Sequence, residues 1–185
     1  MKKILLLILL SFITTISYSN ENINLTFNED SGQYWQYISD KTMGGISNGQ
    51  ATLEQKDEIF FARLTGNVST KNNGGFIQIR SRFSFDKIQN HKLKIKGIKI
   101  KVRGNNEIYH IFIRTKETQS YSDYYLASFT AKENWTLIDL PFTEFKHNFS
   151  SDLKLEDKNL KTLGIVAYGR DFVSDISISK IIFYY

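Results

Sequence analysis

Hydrophobic and polar residues alternate along most of the chain with a period of two. Ile23, Leu25 and Phe27 show the pattern, and the segments 98–102 and 109–113 repeat it. Every second side chain of an extended strand points to the same face, so each segment is expected to be a half-buried strand. Runs rich in β-branched and aromatic residues predict further strands at 58–65, 75–82, 121–129, 135–140, 160–168 and 172–185.

The connections between these strands are short and rich in Gly, Asn, Asp and Ser, which are turn residues. No stretch has the 3.6-residue repeat of an amphipathic helix. Many short strands without a helical layer predict an all-β fold, an antiparallel β-sandwich or jelly roll. No linker, repeat or low-complexity segment divides the chain, so a single domain is predicted over residues 20–185.

One predicted strand, 93–103, carries a row of cations and a change of phase. Lysines occupy the polar positions before Gly97, and Lys99, Lys101 and Arg103 occupy them after it. A bulge or bend at Gly97 would account for the shift. Two interpretations of the basic segment 92–103 stay open: a binding face for an acidic partner, or a solvated edge strand protected by lysines.

The N-terminus has the features of a secretory signal peptide. Two lysines follow Met1, the run 4–16 is almost entirely apolar, and small residues stand at 17 and 19. We therefore predict a signal peptide over residues 1–19 and an exported protein, periplasmic or secreted. The abundance of Lys, Asn and Ile in the chain suggests an AT-rich genome and favours a bacterial source. The alternative is a membrane anchor, but the run is shorter than the roughly 20 residues a spanning helix needs.

Composition excludes several classes of protein. The 185 residues are 41% hydrophobic and 23% charged, which excludes a disordered chain, and the absence of Cys excludes disulfides, thiol nucleophiles and thiolate metal sites. A formal net charge of +5 is too mild to indicate nucleic acid as a partner.

The sequence contains no recognisable catalytic motif. None of His91, His110 and His147 has a second ligand at a spacing typical of zinc, and nucleophile elbows and phosphate-binding loops are missing. We predict a protein that is not an enzyme and has no cofactor. A structural calcium ion would suit a β-sandwich, but no ligand set with suitable spacing is found.

The composition of two glycine-rich segments predicts turns. In the first, Asp40 precedes Met43, Gly44, Gly45 and Ser47. We expect the Asp40 carboxylate to accept hydrogen bonds from N–H groups of its own loop, and Met43 to insert as an apolar plug. The second segment has the same character and leads into a strand that contains Arg80; its residues are Asn73, Gly74, Gly75 and Phe76.

A third segment, 102–109, is predicted to be a hairpin. Its two strands would bring Arg103, Tyr109 and Arg114 into one neighbourhood.

Taken in order, these segments resemble the complex I intermediate-associated protein 30 family. The resemblance covers nearly all of the chain after the signal peptide and rests on an ordered set of motifs: Asp40, Met43, Gly44, Gly45 and Ser47; Gly66 and Ser69; Asn73, Gly74, Gly75, Phe76 and Arg80; Arg103, Gly104, Asn105 and Tyr109; Arg114 and Thr115; Tyr125, Phe129 and Trp135; and Pro141, Phe142 and Phe145. The resemblance implies a galactose-binding-like jelly roll in a protein associated with the building of respiratory complex I.

Two functions follow as hypotheses. The first is a non-catalytic exported protein that assists the assembly of, or binds to, an envelope protein complex, with Met43 as an apolar anchor. The alternative is a carbohydrate-binding module for a cell-wall or extracellular glycan. The candidate ligand surface is Arg80, Arg103, Tyr109, Arg114, Tyr124 and Tyr125.

Alternation also predicts which of these candidates are exposed. The three arginines occupy polar positions and are expected at the surface. Tyr109 shares the parity of Ile111 and Ile113, which is also compatible with burial, and Trp135 is predicted to lie in the core.

Overall fold

The computed structural model describes residues 22–81, 94–157 and 159–185. It consists mainly of strands, arranged in two antiparallel sheets of six strands each. The predicted signal peptide and Leu93 lie outside the described residues. Within the described ranges, no helix is long and apolar enough to cross a membrane.

The first sheet contains the longest strand of the fold. Its strands are β1 (Ile23–Thr26), β3 (Asn48–Lys56), β4 (Ile59–Val68), β6 (Gly97–Gly104), β9 (Thr136–Pro141) and β12 (Phe172–Tyr184). They pair in the order β3-β4-β12-β6-β9. Because β12 has 13 residues, β4 pairs with its first half and β1 with its second half.

The second sheet is built from the remaining strands. They are β2 (Trp35–Ser39), β5 (Phe76–Ser81), β7 (Ile108–Thr115), β8 (Tyr125–Thr130), β10 (Lys146–His147) and β11 (Leu160–Tyr168). They pair in the order β10-β8-β7-β11-β5-β2. Short 3-10 turns connect the two sheets or their loops at Glu29–Gln33, Asp40–Met43, Lys71–Asn73 and Phe142–Glu144.

The core lies between the sheets and follows the alternation of the sequence. Ile98 and Ile100 of the first sheet and Ile77, Ile111 and Ile113 of the second are buried in one cluster. Burial of an aliphatic side chain of this size contributes about 1.5–3 kcal/mol, so the inward positions supply most of the driving force for packing the sheets. The predicted all-β antiparallel sandwich is confirmed.

The set of predicted strands is incomplete, and two of its details are wrong. The strand 48–56 was not predicted, because as an edge strand it needs few apolar residues. β8 begins at Tyr125, not at Tyr121. Gly97 does not produce a bulge, since β6 begins there; the irregular pairing lies in the neighbouring strand, between Ile178 and Lys180. A Cβ at Gly97 would lie 2.7 Å from the Pro141 Cα, so close packing requires glycine.

The basic strand is not an edge strand, because β6 pairs with β12 on one side and β9 on the other. Its cations point outward, and two of them contact neighbouring side chains. Lys99 lies 3.8 Å from the Asp139 carboxylate, and the Arg103 guanidinium packs 4.9 Å from the centre of the Trp135 ring. Trp135 is therefore on the outer surface of the first sheet and not in the core. The prediction for Trp135 is wrong because Leu137, whose parity it shares, is 54% exposed.

Candidate ligand-binding face

Asp40 is a fully buried carboxylate that ties two glycine-rich loops together. Its Oδ1 accepts a hydrogen bond from the backbone N–H of Ser47 at 3.0 Å, and its Oδ2 accepts one from the Ser47 hydroxyl at 2.5 Å. The N–H groups of Gly75 and Phe76, about 35 positions along the chain, also donate to Oδ2, at 2.6 and 3.2 Å. The carboxylate thus satisfies donors of a distant loop as well as those of its own.

Glycine is required around this carboxylate for steric reasons. A Cβ on Gly45 would lie 2.5 Å from the Asp40 Oδ1, and a Cβ on Gly74 would lie 2.9 Å from the Asp40 Cγ. Gly44 instead has open space, but its φ of +88° is a conformation that glycine adopts most easily. The glycines of both motifs therefore allow the two loops to pack closely around the Asp40 carboxylate, in an arrangement that we call the Asp40 cluster.

Burial opposes ionisation of Asp40, yet the pKa of its carboxyl group lies below the ordinary value. The hydrogen bonds from Ser47, Gly75 and Phe76 favour the charged form and together outweigh the cost of burial. The Asp40 cluster is consequently built around a carboxylate anion.

Met43 does not act as the expected plug. Its side chain is 59% exposed, and Ile46 in the same loop is 46% exposed. The buried position of the loop is taken by the Asp40 carboxylate, so the apolar side chains of this loop project outward.

The predicted hairpin at 102–109 is also wrong, because β6 and β7 belong to different sheets. The segment is a corner between the sheets. The Tyr109 hydroxyl is buried there, donates to the Asn105 Oδ1 at 2.7 Å and accepts from the N–H of Asp175 at 2.8 Å. Arg103 and Arg114 consequently lie on different sheets, and Tyr109 is a structural residue of the corner.

The Pro141 motif is another connection between the sheets. Phe142 and Phe145 are buried on either side of the short turn that follows Pro141, with ring centres 5.8 Å apart. These aromatic side chains belong to the core and have no access to a ligand.

The outward-facing positions of the second sheet carry a different set of side chains, which we call the outer face of the second sheet. It comprises Gln36, Ile38, Phe76, Gln78, Arg80, His110, Phe112, Arg114, Tyr124, Leu126, Thr162, Gly164, Val166 and Tyr168. The strand pairing brings onto one face residues as far apart in the sequence as Gln36 and Tyr168.

Aromatic rings cluster on this face. Tyr124 stacks on Phe112 with ring centres 4.0 Å apart and an angle of 11° between the planes. Tyr168, 37% exposed, meets Phe112 edge to face at 5.3 Å. Tyr121, 78% exposed, lies near Arg80, whose guanidinium carbon is 6.0 Å from the ring centre. Two exposed tyrosines therefore border a buried aromatic pair.

Buried polar atoms without partners lie beside these rings. Arg114 is 8% exposed, which contradicts the expected exposure. Its Nη2 donates to the carbonyl oxygen of Tyr121 at 2.5 Å, and its guanidinium carbon lies 5.5 Å from the centre of the Tyr124 ring, but its Nε and Nη1 have no hydrogen-bond partner. The Gln78 Oε1 and the Thr162 Oγ1 are likewise buried and unpaired. Orphaned polar atoms are rare inside proteins and are usually paired with ordered water or another bound molecule.

The electrostatics of this face follow from its burial. Desolvation and the nearby charge of Arg80 lower the pKa of Arg114 to about 10, and desolvation also lowers the pKa of Arg80. Both guanidinium groups stay protonated at neutral pH.

Tyr125 is separated from this face, because it points to the opposite side of β8 from Leu126. It lines a cavity of about 420 Å³ together with His147 and Asp123, whose Nε2 and Oδ1 atoms are 2.7 Å apart. Among the described residues, no group of three or more His, Asp or Glu side chains is arranged to hold a metal ion.

The predicted ligand surface is therefore divided. Arg80, Arg114 and Tyr124 lie together on the outer face of the second sheet, whereas Arg103 lies on the first sheet and Tyr109 and Tyr125 do not reach that face. Sequence reasoning missed Gln78, Phe112, Thr162 and Tyr168. Phe112 and Tyr168 alternate with the core residues of their strands and therefore point to the opposite face. The alternation of the sequence is the signal that could have found them.

The sequence matches the family model for Complex I intermediate-associated protein 30 (CIA30) over residues 25–174. No curated protein matches the sequence.

Solved structures with a similar fold include carbohydrate-binding modules. The family 11 module of the cellulosomal cellulase Lic26A-Cel5E of Clostridium thermocellum is 12% identical, with a TM-score of 0.68 over 90% of this chain and 95% of that chain. The family 11 module from the same organism, in complex with a β-1,3-1,4-mixed-linked tetrasaccharide, is 12% identical, with a TM-score of 0.66 over 90% and 97%. A family 30 module is 12% identical, with a TM-score of 0.50 over 76% and 74%. At these identities, the similarity establishes the fold alone.

Proposed function

The chain belongs to the complex I intermediate-associated protein 30 family, and we propose that it is a non-catalytic binding protein whose outer face of the second sheet binds a saccharide. The observation that carries this proposal is the combination, on one sheet face, of exposed Tyr121 and Tyr168 with the half-buried guanidinium group of Arg80. A sugar ring needs both features, because its C–H face packs on aromatic rings while its hydroxyl groups require hydrogen-bond donors and acceptors.

The fold relatives support this assignment. The module solved with a mixed-linked tetrasaccharide shares the β-sandwich over 90% of this chain. We further propose that the protein is exported, as the signal peptide at residues 1–19 predicts. A cell-wall or extracellular glycan would then be within reach of the outer face of the second sheet.

Removal of Tyr168 is expected to weaken saccharide binding. Tyr168→Ala deletes an exposed ring at the border of the aromatic cluster, so we expect the Kd for a bound glycan to rise by at least about tenfold while the melting temperature changes little. The measurement is isothermal titration calorimetry with soluble β-glucans and with cell-wall and extracellular oligosaccharides.

Leu137→Ala is the matched control, because Leu137 is exposed on the outer surface of the first sheet. Equal loss of affinity in both variants would contradict a site on the second sheet. If no saccharide in the panel binds the unmodified protein, the proposal is wrong.

A protein partner is the second candidate function, and the exposure of Met43 and Ile46 favours it. These side chains project from a loop held rigid by Asp40, and methionine adapts readily to an apolar partner surface. With this second function, the protein would assist the assembly of, or bind to, an envelope protein complex.

A photo-crosslinking amino acid at position 43 tests this second candidate in living cells. We expect it to capture one subunit of a membrane complex reproducibly, with much less product when the same group is placed at Lys101 on the first sheet. Equal capture from both positions, or none from position 43, would exclude a specific partner at the loop.

A further inference from the structure

The cavity at the start of β8 lies apart from the outer face of the second sheet. Tyr125, the first residue of that strand, and His147 line its buried part, with ring centres 4.8 Å apart. Its walls come from the loops that precede β8 and β11. The volume of about 420 Å³ falls in the range of about 300–1,000 Å³ that is typical of sites for small molecules.

Negative charge collects in this cavity. Among the described residues that line it, three are carboxylates, Glu117, Asp123 and Glu156, and one is a cation, Lys154. Burial and the charges of the three carboxylates raise the pKa of Tyr125, so all three act on its hydroxyl group. The cavity is therefore negative, although the whole chain carries a formal net charge of +5.

Hydrogen-bond donors of the lining are already engaged within the protein. The Lys154 Nζ donates to the carbonyl oxygen of Ser151 at 3.0 Å. The Thr118 hydroxyl donates to the carbonyl oxygen of Thr115 at 2.7 Å. These groups pair with the backbone of their own loops, which leaves the lining short of free donors.

His147 is also satisfied by its neighbours. Its Nε2 lies 2.7 Å from the Asp123 Oδ1 and donates to it, because a carboxylate only accepts. Its Nδ1 accepts a hydrogen bond from the N–H of Phe149 at 3.3 Å. Neither ring nitrogen is left for a ligand, so the imidazole positions Asp123 and closes one side of the cavity.

The Tyr125 hydroxyl is the exception in the buried part of the cavity. Its residue is only 9% exposed, yet within the described part of the chain nothing forms a hydrogen bond with the hydroxyl group. It is not enclosed, in contrast to the unpaired hydroxyl of Tyr37, and it faces the cavity. Glu117 and Glu156 are exposed at the rim. The groups open to a ligand are therefore mainly acceptors.

We propose that this cavity binds a small organic molecule through a protonated primary amine, which donates hydrogen bonds to the Tyr125 hydroxyl and to the carboxylates of Glu117 and Glu156. An alkylammonium group has three donors and no acceptor, so it complements this lining. Its hydrogen bonds to carboxylates are charge-assisted and stronger than those of a neutral amide or hydroxyl. A metal ion fits less well, because the described His, Asp and Glu side chains form no group of three arranged to ligate one.

The test is calorimetric titration with pairs of compounds that differ in the charge of the amine. Glucosamine and its oligomers are compared with N-acetylglucosamine and chitin oligomers, and spermidine with its fully N-acetylated form, all at one ionic strength. We expect at least one amine to bind about tenfold or more tightly than its acetylated partner. The pair that shows the difference identifies an amino sugar or an aliphatic polyamine as the source of the amine.

Tyr125→Phe is the sharpest variant, because it removes only the unpaired hydroxyl group. We expect the affinity for the amine to fall about tenfold while the melting temperature stays the same. Glu117→Gln and Glu156→Gln are each expected to reduce the preference for the charged form. Glu133→Gln is the matched control and is expected to keep it, since Glu133 binds the Asn106 amide at 3.0 Å beyond the other end of β8.

The outcomes distinguish this inference from saccharide binding on the outer face of the second sheet. Tyr168→Ala, which is expected to weaken that binding, should leave the affinity for the amine unchanged. If Tyr168→Ala removes amine binding, the amine binds on the outer face and the cavity is not the site. Equal loss in Glu133→Gln and Glu156→Gln would reduce the effect to general charge. If no amine binds more tightly than its acetylated partner, the proposal is wrong, whatever the outer face binds.

Discussion

Asp40→Asn is expected to lower the free energy of unfolding by about 3–5 kcal/mol. The carboxylate receives four hydrogen bonds from donors only, so an amide NH₂ group in place of either oxygen would face another donor. If it replaces Oδ2 it opposes the N–H groups of Gly75 and Phe76, and if it replaces Oδ1 it opposes that of Ser47. Equilibrium unfolding in urea measures the loss.

Asp139→Asn is the control for this substitution. Its carboxylate lies 3.8 Å from Lys99 on the surface and is 55% exposed, so its loss is expected to cost less than about 0.5 kcal/mol. A similarly small effect of Asp40→Asn would show that the stability of the Asp40 cluster does not depend on the charge of Asp40.

Asp40→Asn is also expected to change the dependence of stability on pH. Because the native pKa of Asp40 lies below its ordinary value of 3.8, the carboxylate contributes stability that is fully present above that pH. The contribution is lost as the pH falls through the lower native pKa. Melting temperatures from pH 6 to pH 2 should therefore fall less steeply in Asp40→Asn than in the unmodified protein.

Gly45→Ala is expected to destabilise the protein by about 3 kcal/mol. The new methyl group would lie 2.7 Å from the Asp40 Cβ and closer still to the Cγ, and the carboxylate cannot move without breaking its hydrogen bonds. The clash is steric, since the φ of Gly45 is not positive. Urea unfolding of the variant measures the effect.

Two other glycines separate this clash from backbone strain. Gly44→Ala has open space but a φ of +88°, and we expect a cost of about 1–2 kcal/mol. Gly32→Ala has neither a close neighbour nor a positive φ and is expected to change stability by less than about 0.5 kcal/mol. If Gly45→Ala resembled Gly32→Ala, the packing of the loop on Asp40 would be looser than the structure indicates.

Much of the fold was predictable because its cause is local. Alternation placed Ile98 and Ile100 inward and Lys99 outward before any tertiary contact was known. The same logic failed for Trp135, because parity determines which residues share a face and not which face is covered. An edge strand such as β3 escaped for a related reason, since it buries too little apolar surface to show the pattern.

The candidate site was predictable only in part. Alternation and motifs identify Arg80, Arg114 and Tyr124, but the predicted hairpin wrongly groups Arg114 with Arg103 and Tyr109. The chain instead crosses from one sheet to the other between them, and the Tyr109 hydroxyl pairs with the N–H of Asp175. Nothing local distinguishes a hairpin from a corner, because both need a glycine and polar turn residues.

The sequence by itself determined most of the strands, the two-sided character of each and the presence of special glycines at 44–45 and 74–75, because those properties depend on neighbours along the chain. The tertiary structure alone decided that both glycine pairs meet at Asp40 and that Arg80, Arg114 and Tyr124 lie on one face of the second sheet. These contacts join residues tens of positions apart. They arise from the order in which strands pair, and pairing order depends on the packing of the whole core.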